Sequence, residues 1–127
     1  MMNNKKILIV EDDLDLSLGY EVFLKVHHSV FFAVDVQSAV SEAIRVQPDL
    51  IILDLGLPGD DGYVALERFQ ENPSLSAIPV IVVSGRDPAT HKNRALKAGA
   101  KAFIQKPWNS AELLSTIDQF IGSVDYT

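Results

Sequence analysis

Acidic, hydroxyl and lysine side chains follow short apolar segments at several points of this 127-residue chain. Clustered carboxylates repel one another unless a cation or raised pKa values offset the repulsion, and oxygen ligands of this kind suit Mg²⁺. A hydroxyl and an ammonium group suit the oxygens of a phosphoryl group. Brought together, such side chains predict metal-assisted phosphoryl chemistry with an aspartate as nucleophile. The residues concerned are Glu11, Asp12, Asp54, Ser84 and Lys106.

The apolar segments that precede these residues are too short for helices and are rich in β-branched or aromatic side chains, which predicts buried strands. Between them, apolar residues recur every three or four positions, for example at Leu16, Tyr20 and Phe23, which predicts helices. This alternation predicts one α/β domain with a parallel sheet and helices on both faces. The predicted strands are Ile7–Val10, Val30–Val34, Leu50–Leu53, Val80–Val83 and Ala102–Ile104.

Because ligands of such sheets bind beyond the carboxyl ends of the strands, we expect the five polar residues at one edge. Local signals also mark helix ends. Asp87 before Pro88 predicts a helix start, and Gly99 predicts a left-handed residue after a helix. Asn109, three residues before Glu112, predicts a capping box.

The composition fits a single globular domain, which we expect to occupy residues 1–127 with a core at about 5–121 and a tail at 123–127. Hydrophobic residues make up 47% of the chain, and it has no cysteine, which excludes disulfides, zinc–thiolate sites and cysteine nucleophiles. The net charge of −6 argues against nucleic-acid binding by this domain. No apolar run approaches the ~20 residues that span a bilayer, and no signal-peptide pattern is present. We therefore expect a cytoplasmic protein without membrane contact.

From about Lys5 to Ile121 the sequence resembles the response-regulator receiver domain of two-component signal transduction. The resemblance implies a flavodoxin-like, doubly wound five-stranded parallel sheet of order 2-1-3-4-5 with five helices, as in the chemotaxis regulators. The matching motifs are Lys6–Asp13, Pro48–Asp54, Leu57-Pro58 with Asp61-Gly62, Pro79–Ser84, Ala98–Ala100 and Phe103–Pro107.

The resemblance also implies how phosphoryl transfer would take place. Asp54 would accept a phosphoryl group from a phosphohistidine. Lys106 would pair with a phosphoryl oxygen, or with Asp54 before phosphorylation, and Ser84 would shift inward to bind another oxygen. Phe103 would turn inward with Ser84 as the switch residue, and the bond between Lys106 and Pro107 would be cis.

The implied metal is Mg²⁺, bridging the acceptor and the phosphoryl oxygens. Asp12 and Asp54 would bind it directly, Glu11 through water, and Gly56 through its backbone carbonyl. Glu11 replaces the more frequent aspartate, which should lengthen the reach to the metal.

As the resemblance implies, phosphorylation would shift a pre-existing equilibrium of the surface formed by helix 4, strand 5 and helix 5. The implied partners are a sensor histidine kinase or histidine phosphotransfer protein upstream, and an effector or output domain downstream. A homodimer through helices 4 and 5 is left open. The domain would catalyse only its own phosphoryl transfer and autodephosphorylation, and is not expected to be an enzyme for other substrates.

Some residues have two interpretations. Gly56 and Arg86 occupy positions that flank the route of hydrolytic water in the family: Gly56 would leave the phosphoryl group open, whereas Arg86 would either cover it or be a solvated loop charge. Trp108 would contact a partner or cover the end of helix 5. The histidine pair 27–28 at the end of helix 1 is expected to be exposed or half-buried. All three histidines, including His91, are expected to be structural.

Two other functions compete with the phosphorylated switch. A pseudo-receiver would bind partners without phosphorylation, but acceptor, acids, hydroxyl and lysine are all present. A Mg²⁺-dependent phosphohydrolase would use an aspartyl-phosphate on small substrates. Such an enzyme usually has a second acid near the nucleophile and a cap domain. Here Leu55 and Gly56 follow Asp54, and we expect no cap domain.

Overall fold

The computed structural model describes residues 4–58 and 61–122, in which strands and helices alternate throughout. The predicted tail at 123–127 lies outside the described residues. The strands are β1 (Lys6–Val10), β2 (Ser29–Ala33), β3 (Leu50–Leu53), β4 (Val80–Ser84) and β5 (Ala102–Gln105). The helices are α1 (Leu14–Leu24), α2 (Val36–Val46), α3 (Gly62–Glu71), α4 (Pro88–Lys97) and α5 (Ser110–Ile121).

All five strands form one parallel sheet in the order β2-β1-β3-β4-β5, which confirms the predicted topology. Strand β1 is paired on both sides: Ile7 lies opposite Val30 on one side and Leu50 on the other. Every residue of β3 and β4 is buried, as unbroken apolar runs predict for a parallel sheet covered on both faces. The edge strand β2 is mostly half-buried.

The core has two layers because side chains alternate across a strand. Leu8 and Val10 of β1 point into the layer beneath α2, α3 and α4. Ile7 and Ile9 point into the opposite layer beneath α1 and α5. Helices therefore cover both faces of the sheet. Within residues 4–58 and 61–122, the structure has no helix whose length and apolar character would allow it to cross a membrane.

The helix ends follow the predicted signals. The Asp87 carboxylate accepts from the Ala89 N–H, with Pro88 as first helical residue, and Asn109 accepts from the Glu112 N–H. Gly99 has a φ of 118°, a backbone region that suits glycine because it lacks a Cβ. The predicted ends of α4 and the start of α5 are thus confirmed.

Helix α1 forms where the recurring apolar residues predict a helix. Tyr20 and Leu24 are buried, as expected for its inner face, but Leu16 is exposed. The recurring apolar residues predicted the helix but not which face is buried, because this helix is apolar on both sides. Its outer face carries exposed Leu14, Leu18 and Val22.

Candidate functional site

The polar residues singled out in the sequence lie together where the strands end. Backbone hydrogen bonds continue the sheet by one residue and fix their positions. The N–H of Glu11 donates to the Ala33 carbonyl at 3.0 Å, and that of Asp54 to the Val10 carbonyl at 3.0 Å. The N–H of Lys106 donates to the Ser84 carbonyl at 2.8 Å.

The three acids form a cluster. Glu11, Asp12 and Asp54 each offer a carboxylate oxygen, and these oxygens all lie within 4.8 Å of one another. Glu11 is buried, Asp54 half-buried and Asp12 exposed, so the cluster runs from the core to solvent. Three hard oxygen donors at this spacing fit a divalent cation such as Mg²⁺.

Lys106, the residue after β5, joins the cluster. Its Nζ lies 2.6 Å from Oε1 of Glu11 and 3.5 Å from Oδ2 of Asp54. The resemblance implied a partnership with Asp54; the structure adds a closer contact with Glu11, whose side chain is longer than that of aspartate. Lys106 is thus shared between the two carboxylates.

The pKa of Glu11 indicates that the acidic cluster would be stabilised by added positive charge. Burial raises the pKa of Glu11, and the charge of Asp54 raises it further. The hydrogen bond from Lys106 and the N–H of Asp13 at 3.2 Å oppose this rise without cancelling it. A further positive charge would stabilise the ionised form of Glu11, which is what a bound cation supplies.

Ser84 and Arg86 form the β4 side of the site. Ser84 is 1% exposed, and its Oγ accepts from the Arg86 N–H at 3.0 Å. The Arg86 guanidinium donates to the Leu55 carbonyl at 3.4 Å, next to Asp54. Arg86 is therefore a half-buried side chain that reaches across the site, and not a freely solvated loop charge.

Two glycines lie close to Asp54. A Cβ at Gly56 would lie 3.7 Å from Oδ2 of Asp54, so any side chain there would stand beside the acceptor. A Cβ at Gly62 would lie 2.5 Å from the Asp54 carbonyl oxygen and from the Cα of Leu55. Only glycine allows α3 to begin against this backbone. The motif Asp61-Gly62 carried no signal of this role in the sequence.

The segment after β5 contains two further predicted features. The bond between Lys106 and Pro107 is cis, as predicted. Phe103 is half-buried and packs against the core layer beneath α2, α3 and α4. Trp108 packs on Tyr20 and Phe23 of α1, a contact that the sequence analysis missed.

The histidines do not join the acidic cluster. His28 is buried at the opposite end of the sheet, where its Nδ1 accepts from the Lys5 N–H at 3.3 Å. The prediction of an exposed or half-buried pair was wrong for His28, because it lies beneath the start of β2. His91 lies on α4, with its Nδ1 2.8 Å from the Tyr63 hydroxyl.

A parallel sheet of this strand order, with acids and a lysine at its carboxyl edge, defines the receiver class of signalling domains. The chain belongs to the response regulator receiver domain family, whose model matches residues 7–118. This match contains all the residues of the site described above.

Relatives of known name agree with this assignment. The KDP operon transcriptional regulatory protein KdpE of Escherichia coli is 41% identical over 108 residues, which are 84% of this chain and 47% of KdpE. Protein PilH of Pseudomonas aeruginosa is 32% identical over 114 residues, which are 89% of this chain and 94% of PilH. The chain thus spans about half the length of KdpE and nearly all of PilH.

A solved structure shares the fold. It is the receiver domain of a sensor histidine kinase from Pseudomonas aeruginosa, with a magnesium ion coordinated in its active-site cleft. Its TM-score is 0.84 at 30% identity, and the alignment covers 94% of this chain and 99% of that chain.

Proposed function

We propose that this receiver domain is a phosphoryl-accepting switch of a two-component system, in which Asp54 is phosphorylated with Mg²⁺ present. The observation that carries the proposal is the acidic cluster of Glu11, Asp12 and Asp54 with Lys106 Nζ 3.5 Å from Oδ2 of Asp54. A nucleophilic carboxylate, candidate metal ligands and a cation for the phosphoryl oxygens thus lie within one site.

In the proposed reaction, a carboxylate oxygen of Asp54 attacks the phosphorus of a phosphohistidine. A P–O bond forms at Asp54 while the P–N bond breaks, and its electron pair returns to the imidazole nitrogen. Lys106 leaves Glu11 to pair with a phosphoryl oxygen, and the Ser84 hydroxyl donates to another. Glu11, Asp12, Asp54 and the Gly56 carbonyl would hold Mg²⁺, which would supply positive charge to offset the charge of the phosphoryl group.

The lifetime of the phosphoryl group depends on access of water to Asp54. Gly56 leaves one side of the carboxylate open because it has no side chain. Arg86 covers another side from its hydrogen bond to the Leu55 carbonyl. The domain catalyses its own phosphorylation and dephosphorylation, and we expect no turnover of phosphate esters.

We infer that the phosphodonor docks on the outer face of α1. Leu14, Leu18 and Val22 are 73%, 49% and 67% exposed and lie four residues apart, so they form one apolar stripe. The stripe begins two residues after Asp12, so a protein that delivers a phosphohistidine to Asp54 would cover it.

Val22→Asp tests this docking surface. It is expected to slow transfer from a phosphorylated histidine phosphotransfer protein at least tenfold and to leave uptake from acetyl phosphate unchanged. Ile44→Asp, on exposed α2 surface, is the matched control.

The response to phosphorylation is a shift of the α4–β5–α5 surface toward its active arrangement. Ser84 and Phe103 carry the change from the site to that surface. The partners are a sensor histidine kinase or histidine phosphotransfer protein upstream and an effector or output domain downstream. A relative named as a transcriptional regulatory protein, which is about twice as long as this chain, supports an output of that kind.

The deciding experiment is the intact mass after incubation with acetyl phosphate, with and without Mg²⁺. We expect a gain of one phosphoryl group that requires Mg²⁺, is absent in Asp54→Asn and is retained in Asp15→Asn, a control at an exposed carboxylate of α1. No gain in the wild type, with Mg²⁺ binding demonstrated separately, would instead support a pseudo-receiver that binds partners without phosphorylation.

A further inference from the structure

The segment that carries Lys106 is attached to α1 by aromatic side chains. Trp108, two residues after Lys106, has its ring centroid 5.3 Å from that of Tyr20 with an interplanar angle of 22°. It lies 5.2 Å from the ring of Phe23 at 41°. Tyr20 is 1% exposed and therefore fixed in the core. The indole ring thus rests on a rigid surface of α1.

Lys106 lies between two anchors. On one side, its backbone N–H donates to the Ser84 carbonyl at 2.8 Å. On the other side, the Trp108 ring is held by Tyr20 and Phe23. A lysine side chain is long and flexible. The position of the Lys106 ammonium group therefore depends on how firmly the backbone at Lys106 is held.

The same aromatic cluster reaches the acids of the site. Burial raises the pKa of Tyr20, and the charges of Glu11 and Asp54 raise it further, while a hydrogen bond with Trp108 opposes the rise. The Tyr20 hydroxyl therefore stays protonated within the field of both carboxylates. Tyr20 thus packs against Trp108 and lies within the electric field of Glu11 and Asp54.

A cavity beside this segment gives it room to move. It has a volume of about 370 Å³, and Tyr20, Lys106, Pro107 and Trp108 are among its lining residues. Loss of the indole ring would enlarge this space and remove the contact with α1. The backbone at Lys106 would then be held by its bond to Ser84 without the second anchor.

We propose that Trp108, seated on Tyr20 and Phe23, is a positioning residue that keeps the Lys106 ammonium between Glu11 and Asp54. Trp108 acts on phosphorylation through Lys106 and touches no reacting atom. The inference rests on the proposed function to the extent that uptake by Asp54 is its kinetic readout. A displacement of about 1 Å at a reacting centre costs up to about 100-fold in rate, so loss of the ring has a measurable effect.

The kinetic test compares phosphoryl uptake from acetyl phosphate in Trp108→Ala, Trp108→Phe and the wild type. We expect Trp108→Ala to be at least tenfold slower and Trp108→Phe to lie within threefold of the wild type, because a phenyl ring still packs on Tyr20 and Phe23. Phe120→Ala removes an aromatic ring from the same core layer near the other end of α5, and is expected to leave the rate unchanged. Mg²⁺ affinity should not fall in Trp108→Ala, since the acids do not move and the competing ammonium group is held less closely to them.

Uptake by Trp108→Ala at the wild-type rate, equal slowing in Phe120→Ala, or no rescue in Trp108→Phe would each overturn the proposal. If Trp108→Ala does not fold, Trp108→Leu, which keeps apolar volume without a ring, takes its place with the same expectation. A readout without phosphorylation is the NMR signal of the Lys106 ammonium. We expect slow proton exchange in the wild type and fast exchange in the alanine or leucine variant. If the wild type takes up no phosphoryl group, the proposed function fails, and this NMR comparison still decides the role of Trp108.

Discussion

Both ends of the sheet bury ionisable side chains, but the surroundings of these side chains differ between the two ends. At the carboxyl end, buried Glu11 has the Lys106 ammonium at 2.6 Å, and Asp12 opens the cluster to solvent. At the amino end, His28 is 5% exposed and its Nε2 has no hydrogen-bond partner within residues 4–58 and 61–122. The same holds for Oδ1 of Asp118 on α5.

The pKa directions follow from these contacts. Burial lowers the pKa of His28 and raises that of Asp118, so both are driven toward their neutral forms. Burial also raises the pKa of Glu11, but Lys106 opposes the rise. Burial of a titratable group therefore does not by itself mark a functional site. At the functional end, a buried charge has an opposite charge beside it and a route to solvent.

The largest effect is expected when the carboxyl end of the sheet loses the ammonium group of Lys106. Lys106→Met should slow phosphoryl uptake by Asp54 about 100-fold or more, because removal of one group that stabilises transition-state charge costs about 10²–10³ in rate. Initial rates from intact mass with acetyl phosphate measure this effect. Lys101→Met, at an exposed position before β5, is the control and should keep the wild-type rate. A rate for Lys106→Met within threefold of the wild type would contradict the role of Lys106.

The next effect tests how tightly the carboxyl end is packed. Gly62→Ala should lower the free energy of unfolding by about 2 kcal/mol, because its Cβ would meet backbone atoms of Asp54 and Leu55 at 2.5 Å. Gly19→Ala on α1 has nothing within 4 Å of the added Cβ, and should stabilise by about 0.5–1 kcal/mol through helix propensity. Urea unfolding measures both. Equal stability of the two variants would show that the backbone at Asp54 yields to the new methyl group.

A smaller effect is expected from closing the route to solvent at Asp54. Gly56→Leu places an apolar side chain beside the acceptor carboxylate, and should lengthen the phosphoryl lifetime about fivefold by excluding water. Arg86→Ala removes the side chain that bonds the Leu55 carbonyl beside Asp54, and should shorten the lifetime. Loss of phosphate from the isolated phosphorylated protein, followed by intact mass, gives both lifetimes. An unchanged lifetime in Gly56→Leu would show that water reaches Asp54 by another route.

The smallest effect concerns the amino end. Because the folded-state pKa of His28 is lowered, the unfolded chain binds its proton more tightly than the folded chain does. The stability contribution is fully present above the unfolded pKa of about 6.5 and is lost as the pH falls below it. His28→Gln should therefore flatten the decrease of unfolding free energy between about pH 7 and pH 5, as measured by urea unfolding. His91→Gln, on α4, is the control and should show the same decrease of unfolding free energy as the wild type. An unchanged decrease in His28→Gln would show that His28 does not cause it.

The fold and the members of the site could be predicted because local signals are strong. Unbroken apolar runs such as Leu50–Leu53 specify buried parallel strands, and the residue after each run lies at the carboxyl edge. Asp54 and Glu11 were placed in this way. The predicted starts of helices α4 and α5 rested on Asp87 and Asn109, whose side chains cap these helices.

The contacts within the site could not be predicted because they depend on side-chain reach across the fold. Lys106 lies closer to Glu11 than to Asp54. This pair joins the residues that follow the first and the last strand. The packing of Trp108 on Tyr20 and Phe23 likewise depends on the path of the chain after β5. His28 is next to a strand in sequence, and its burial depends on how the chain enters β2.

The position of β1 has a consequence for how the chain is made. This strand is synthesised first, yet it is paired on both sides, with β2 and with β3. Until Leu50–Leu53 has left the ribosome, one edge of Ile7–Val10 has no native strand to bind. A nascent chain with this order carries an unpaired apolar edge during elongation, and such edges are prone to association with other chains. Translation speed through α2 therefore sets how long that exposure lasts.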